Sequence, residues 1–186
     1  VETTGLADPA PVAQTFLVDQ KGGLFVSKID LFVTAKDANI PLNVSIRSVE
    51  NGSPTQKIVP FSTVVKYPSD VNTSEDGSVA TTFTFDAPIF LDAGVEYAII
   101  ILSNSPDYRA YVAELGNKDL ITQNLVSKNP YAGVFFKSQN ASTWTPEQTK
   151  DLKFTLYRAN FTSTSATIDF VNDVIPARTL GINPFR

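Results

Sequence analysis

Three groups of side chains have types and spacing suited to chemistry. The first is Asp70–Val71–Asn72–Thr73–Ser74–Glu75–Asp76–Gly77, where side-chain oxygens alternate as they do in calcium loops. A helix–loop–helix calcium site needs Gly at the sixth position and Glu at the twelfth. Those places hold Glu75 and Thr81, so that motif fails. Two readings stand for the loop: a non-standard calcium site through Asp70, Asn72 and Asp76, or a solvated turn. The second group is aromatic and centres on Trp144, the only Trp, in a polar segment with Asn140, Ser142, Thr143 and Thr145. Sugars stack an apolar ring face on a π-surface while their hydroxyls need directional polar partners. Trp144 with Tyr108, Tyr111 and Tyr131 is therefore a candidate glycan platform, and the competing reading packs Trp144 into the core. The third group is the carboxylates. Hydrolysis of a glycosidic bond needs two of them about 5 to 9.5 Å apart. Of Asp107, Glu114, Asp119, Glu147 and Asp151, most fall in turns or beside Lys and read as surface charges, while Asp30, Asp86 and Glu96 are isolated on strands. No pair among them reads as catalytic. Asn43, Asn72, Asn140 and Asn160 each open an Asn-x-Ser/Thr sequon, a pattern that a Ser- and Thr-rich chain produces by chance.

Composition narrows the chemistry further. The 186 residues include no Cys and no His. Disulfides, thiolate nucleophiles, Cys-ligated metals and His-based acid–base or metal sites are thereby excluded. The reading is of a protein that is not an enzyme and carries no resident cofactor, with calcium the one metal whose oxygen ligands the sequence supplies. Lys and Arg number 15 against 19 Asp and Glu, a net charge of −4 with no basic stripe, which argues against nucleic-acid binding. Apolar runs such as Val95 to Leu102 are far shorter than the roughly 20 residues of a membrane helix, so no membrane insertion is expected. Val1 to Ala13 lacks the pattern of a secretory signal. With no Met in the chain, the expectation is a domain processed or excised from a longer polypeptide.

The elements that must position these side chains are strands. Leu24 to Val33 alternates, with Phe25, Ser27, Ile29, Leu31 and Val33 assigned to one face. Leu42 to Val49 follows the same pattern, with Leu42, Val44, Ile46 and Ser48 inward. Asn51–Gly52 predicts a tight turn, and Pro54 is expected to stop any ladder beyond it. Pro60 places the run from Ile58 to Tyr67 at an edge or bulge. Val79 to Phe85 alternates again, and Val95 to Leu102, apolar on both faces at its end, predicts a central strand. Tyr108 to Leu115, Gly133 to Lys137 and Leu152 to Phe161 complete the set, while Lys118 to Val126 reads as a short helix or a loop. Thr145–Pro146–Glu147–Gln148 has the signature of a helix start about one turn long. About nine strands joined by short turns predict an all-β fold, an antiparallel β-sandwich of jelly-roll type. It spans residues 1–161, with most of the 13 Phe side chains in its core. Residues 162–186 are too few to bury a core and read as a linker and extended tail leading to a following domain.

The stretches Pro11–Val12–Ala13–Gln14–Thr15–Phe16, Gly23 to Phe32, Ile40 to Arg47 and Gly52 to Thr55 carry a resemblance that continues through Phe83–Thr84–Phe85, Glu96–Tyr97–Ala98, Phe136 to Thr145 and Leu152 to Ala159. Over most of residues 8–161 the chain resembles a module of large virion structural proteins in tailed phages, nearest to those of T-even-type myoviruses of marine bacteria. The stretch Ser138–Gln139–Asn140–Ala141–Ser142–Thr143–Trp144–Thr145 is its most distinctive part. The resemblance implies a non-enzymatic structural or adhesive role in a tail, baseplate or fibre of the phage particle. Its implied partners are other virion subunits, with a homotrimer as the analogous assembly, and a host surface glycan. It brings no catalytic motif. The alternative is a carbohydrate-binding module that presents the aromatic set to a surface glycan.

Overall fold

Alternation of apolar and polar residues obliges a strand to bury one face, and two antiparallel sheets do so here against each other. The computed structural model describes residues 4, 7–128, 133–163, 165 and 167–170. The seven-stranded sheet runs β11 (Thr145–Glu147), β10 (Phe135–Lys137), β2 (Val12–Leu17), β8 (Glu96–Leu102), β4 (Leu42–Glu50), β5 (Ser53–Ile58), with β6 (Val64–Lys66) also paired to β4. The six-stranded sheet runs β1 (Ala7–Pro9), β9 (Arg109–Glu114), β3 (Leu24–Ala35), β13 (Phe154–Arg158), with β12 (Lys150–Leu152) on β9 and β7 (Ala80–Leu91) on β3. The long strands β2, β3, β4, β7, β8 and β9 alternate between the sheets in chain order. The fold is the expected all-β sandwich. Its core joins Val12, Leu42, Val44, Ile46 and Ile99 of one sheet to Ile29, Leu31, Phe83, Leu91 and Phe154 of the other. Burying each such side chain contributes roughly 1.5 to 3 kcal/mol. β8 lies between β2 and β4 and is buried on both faces, which explains its unbroken apolar run.

Four local expectations are corrected. First, the face assigned to Leu24–Val33 breaks at Ser27, because Tyr157 pairs with Lys28 and Arg158 with Val26, leaving one extra residue in β3. A bulge of this kind reverses the alternation on one side of it. Val26 is therefore buried and Phe25 turned outward, 38% exposed. Second, Thr145–Glu147 is a strand paired to β10, with Thr145 opposite Lys137 and Glu147 opposite Phe135. A capping signature acts within one turn, and it yields where long-range pairing satisfies the same backbone groups. Third, Asn51 and Gly52 adopt φ of 52° and 73° in the two-residue turn that joins Glu50 to Ser53, but Pro54 lies within β5. It is tolerated because β5 is an edge. The same holds for Pro9 in β1, Pro88 in β7 and Pro146 in β11, the remaining strand prolines among the described residues, each in a strand that pairs with a single neighbour. Fourth, thirteen strands are present among the described residues where about nine were expected. Short pieces such as β1, β6 and β12 account for the difference.

Through Lys128, the stretch after Gly116 is a loop closed by a single bridge between Lys118 and Leu125. Past Ala159, whose backbone N–H donates to the Phe25 carbonyl at 2.7 Å, the described residues carry no regular structure. Ile168 and Phe170 there are exposed, and the rest of the expected tail, 171–186, lies outside the described residues.

Candidate attachment face

The candidate calcium loop uses its polar groups on itself. Asn72 donates its backbone N–H to Thr81 Oγ1 at 2.9 Å and its Nδ2 to the Ala80 carbonyl at 3.0 Å. Asp76 Oδ1 accepts the Ser78 N–H at 2.9 Å, and the Ser78 side chain together with that N–H holds its carboxyl below the usual value. Asp70 closes a single 3-10 turn, Pro68–Asp70, and is exposed. Among the described residues, no three acidic groups gather to hold a metal.

The aromatic platform is corrected by burial. Tyr108 is 1% exposed and donates to the Ile40 carbonyl at 2.7 Å. Tyr111 is 3% exposed and donates to the Ser74 carbonyl at 2.8 Å. Trp144, 8% exposed, packs on the outer side of the seven-stranded sheet with Ala13, Ala98, Ile100 and Phe136. The segment before it is folded onto the sheet by Asn140 Oδ1, which accepts the N–H groups of Ser142 and Thr143. Arg47 and Gln56 hold it there through the Ala141 carbonyl. These three rings offer no free face to a sugar, and Tyr131 lies outside the described residues.

Three of the carboxylates, Asp30, Asp119 and Asp151, are buried, while Asp107 and Asp86 are exposed and Glu96, Glu114 and Glu147 partly so. Asp119 and Asp151, read as surface charges, are 4% and 1% exposed. Asp119 Oδ1 accepts from the N–H groups of Ile121 and Thr122 and so shapes its own loop. Asp151 Oδ1 accepts from Gln14 Nε2 at 3.1 Å, while Oδ2 has no partner among the described residues. Burial, opposed only by the Gln14 bond, pushes its carboxyl up to about 6. Asp30, read as isolated, accepts from Thr82 Oγ1 at 2.5 Å and from the Tyr157 hydroxyl at 2.8 Å. That bond and the Asp30 charge raise the Tyr157 hydroxyl above its usual value. Glu147 belongs to a four-charge cluster in which Lys137 meets Asp8 at 2.6 Å and Glu147 at 3.0 Å, and Lys150 meets them at 3.1 and 3.5 Å. Desolvation works against the Lys137 ammonium, yet its bonds to Asp8 and Glu147 raise its pKa overall. These charges neutralise one another.

The outer side of the six-stranded sheet is built differently. Nothing like the Trp144 segment covers it among the described residues, and half-exposed rings stand on it. Phe25 contacts Phe90 at 4.9 Å between centroids and meets Phe161 edge-on at 5.1 Å and 84°. Their exposures are 38%, 45% and 62%. Beside them the Lys28 ammonium lies 4.3 Å above the Tyr157 ring, and Lys153 lies 4.7 Å from the centre of Phe32. The rings reach this face because of the bulge at Ser27 and because Gly22 and Gly23, at φ of 87° and 78°, turn the chain tightly into β3. A Cβ on Gly23 would collide with the Leu91 carbonyl and the Phe90 ring. Period-two reading placed Phe25 inward and so missed this cluster; the Gly22–Gly23 pair was its one visible signal. No family model, no curated protein and no solved structure matches the chain.

Proposed function

We propose that the chain is a non-enzymatic structural module of a tailed-phage virion, placed in a tail, baseplate or fibre, where it packs against other virion subunits and serves host attachment. The observation that carries this reading is the asymmetry between the two outer faces. Trp144 and its segment cover the centre of one, while the other gathers Phe25, Phe90, Phe161 and Tyr157 on its outside. Exposed rings gathered on one face mark a surface that meets a partner. The resemblance to virion modules supplies the setting, and the self-neutralised charges suit a role in packing. The prolines in β1, β5, β7 and β11 favour a contact on this face over one along those strands. Immunogold electron microscopy of particles whose genome encodes the chain tests the reading. Gold on tail, baseplate or fibre is the expected result, and particles free of gold overturn it. The carbohydrate-binding alternative is favoured by one observation, the amide and cationic side chains that border the same rings.

A further inference from the structure

Between the Gly22–Gly23 turn and the end of β13 lies a groove of about 380 Å3, at the small end of ligand pockets. Phe25 and Phe161 form its apolar corner, with ring planes at 84° to each other. Gln20, Lys21, Arg158 and Asn160 form its rim. The corner is built into the fold: the Ala159 N–H bond to the Phe25 carbonyl fixes the two chain segments, and Gly23 admits the Phe90 ring that backs Phe25. The rim is chemically unspent. Among the described residues neither Lys21 nor Arg158 has an ion pair, and the side chains of Gln20 and Asn160 make no hydrogen bond. Among the described residues no acidic side chain lines the groove, although the chain as a whole carries a net charge of −4.

Each part selects something different. A flat ring face takes the C–H side of a pyranose, amides satisfy hydroxyls in both directions, and a guanidinium fork matches the two oxygens of a carboxylate. A neutral sugar would leave the two cations without use. An anion without an apolar face would leave the rings without use. We propose that this groove binds a carboxylated sugar residue of a surface polysaccharide, a reading that rests on the attachment role above and names its ligand class. Phe25 and Phe161 hold the ring, Arg158 and Lys21 the carboxylate, and Gln20 and Asn160 the hydroxyls.

Titration of the full chain, followed by amide NMR shifts, tests this with trisaccharides of galacturonate, mannuronate and guluronate and a hyaluronan tetrasaccharide. Maltotriose serves as the neutral arm and a sulfated carrageenan oligomer as the sulfate arm. At least one uronate oligomer is expected to move the amides of residues 20–25 and 158–161, saturating at millimolar concentration. Arg158→Gln and Phe161→Ser, both at exposed positions, should each weaken that binding at least fivefold while leaving the remaining spectrum in place. No shift with any of the four uronate probes overturns the inference, as does an equal response to maltotriose or to the sulfated oligomer, or equal binding by both variants. Gold labelling of the particle with no uronate response overturns this inference alone and leaves the structural role standing.

Discussion

Asp151 combines almost complete burial with a single hydrogen bond, and that combination has a thermodynamic sign. A carboxyl whose folded pKa, about 6, exceeds its unfolded value of 3.8 favours the folded state only while protonated. Its stabilisation is present below about pH 4 and is lost as the pH rises through about 6. The loss levels off above that pH at on the order of 2 to 3 kcal/mol. Asp151→Asn keeps an oxygen for Gln14 and removes the ionisation. Thermal melts should show the variant more stable than the parent at pH 7.5 and the difference closing by pH 4. Residue type and chain neighbours gave no hint of this, since Lys150 and Lys153 on either side suggest a surface position. Asp151 is set in the ladder to β9, opposite Ala113, and its hydrogen-bond partner Gln14 lies 137 positions away in sequence.

At the scale of elements, local pattern and distant pairing divide the outcome between them. β4, β7 and β8 were legible because their alternation or apolar run is set by how many faces they bury. The bulge in β3 was not, because one inserted residue alters facing without altering composition, and with it went the cluster at Phe25. Thr145–Glu147 shows the same limit, with a capping signal outweighed by the ladder to β10. The Trp144 segment gains its place from the sheet beneath it, so its contribution is to packing. Trp144→Ala should destabilise the fold by about 3 to 5 kcal/mol. Denaturant unfolding measures that loss, and in the native parent chain a blue-shifted emission poorly quenched by iodide checks the burial directly.

Over the whole molecule, the two sheets are tied at one side by the cluster of Asp8, Lys137, Glu147 and Lys150. Asp8 and Lys150 belong to the six-stranded sheet, and Lys137 and Glu147 to the seven-stranded one. Asp8→Asn leaves two ammonium groups to one carboxylate and should lower the melting temperature by several degrees. Because salt screens the charge pairs that the parent retains, the gap between parent and variant should narrow in 1 M NaCl, where the Debye length is about 3 Å. The sandwich itself was readable from turn spacing and alternation, while this cross-sheet tie was not, since its four members come from opposite ends of the chain. The border prolines have a consequence of another kind. Were the chain displayed in many copies on one particle, as proposed, its local concentration would be very high, the condition under which bare strand borders template cross-β fibrils. The prolines of β1, β5, β7 and β11 each remove a backbone donor from a strand with a single neighbour and so disfavour ladder addition of a further copy there. At those four strands, crowded copies would be left to recognise one another through side chains.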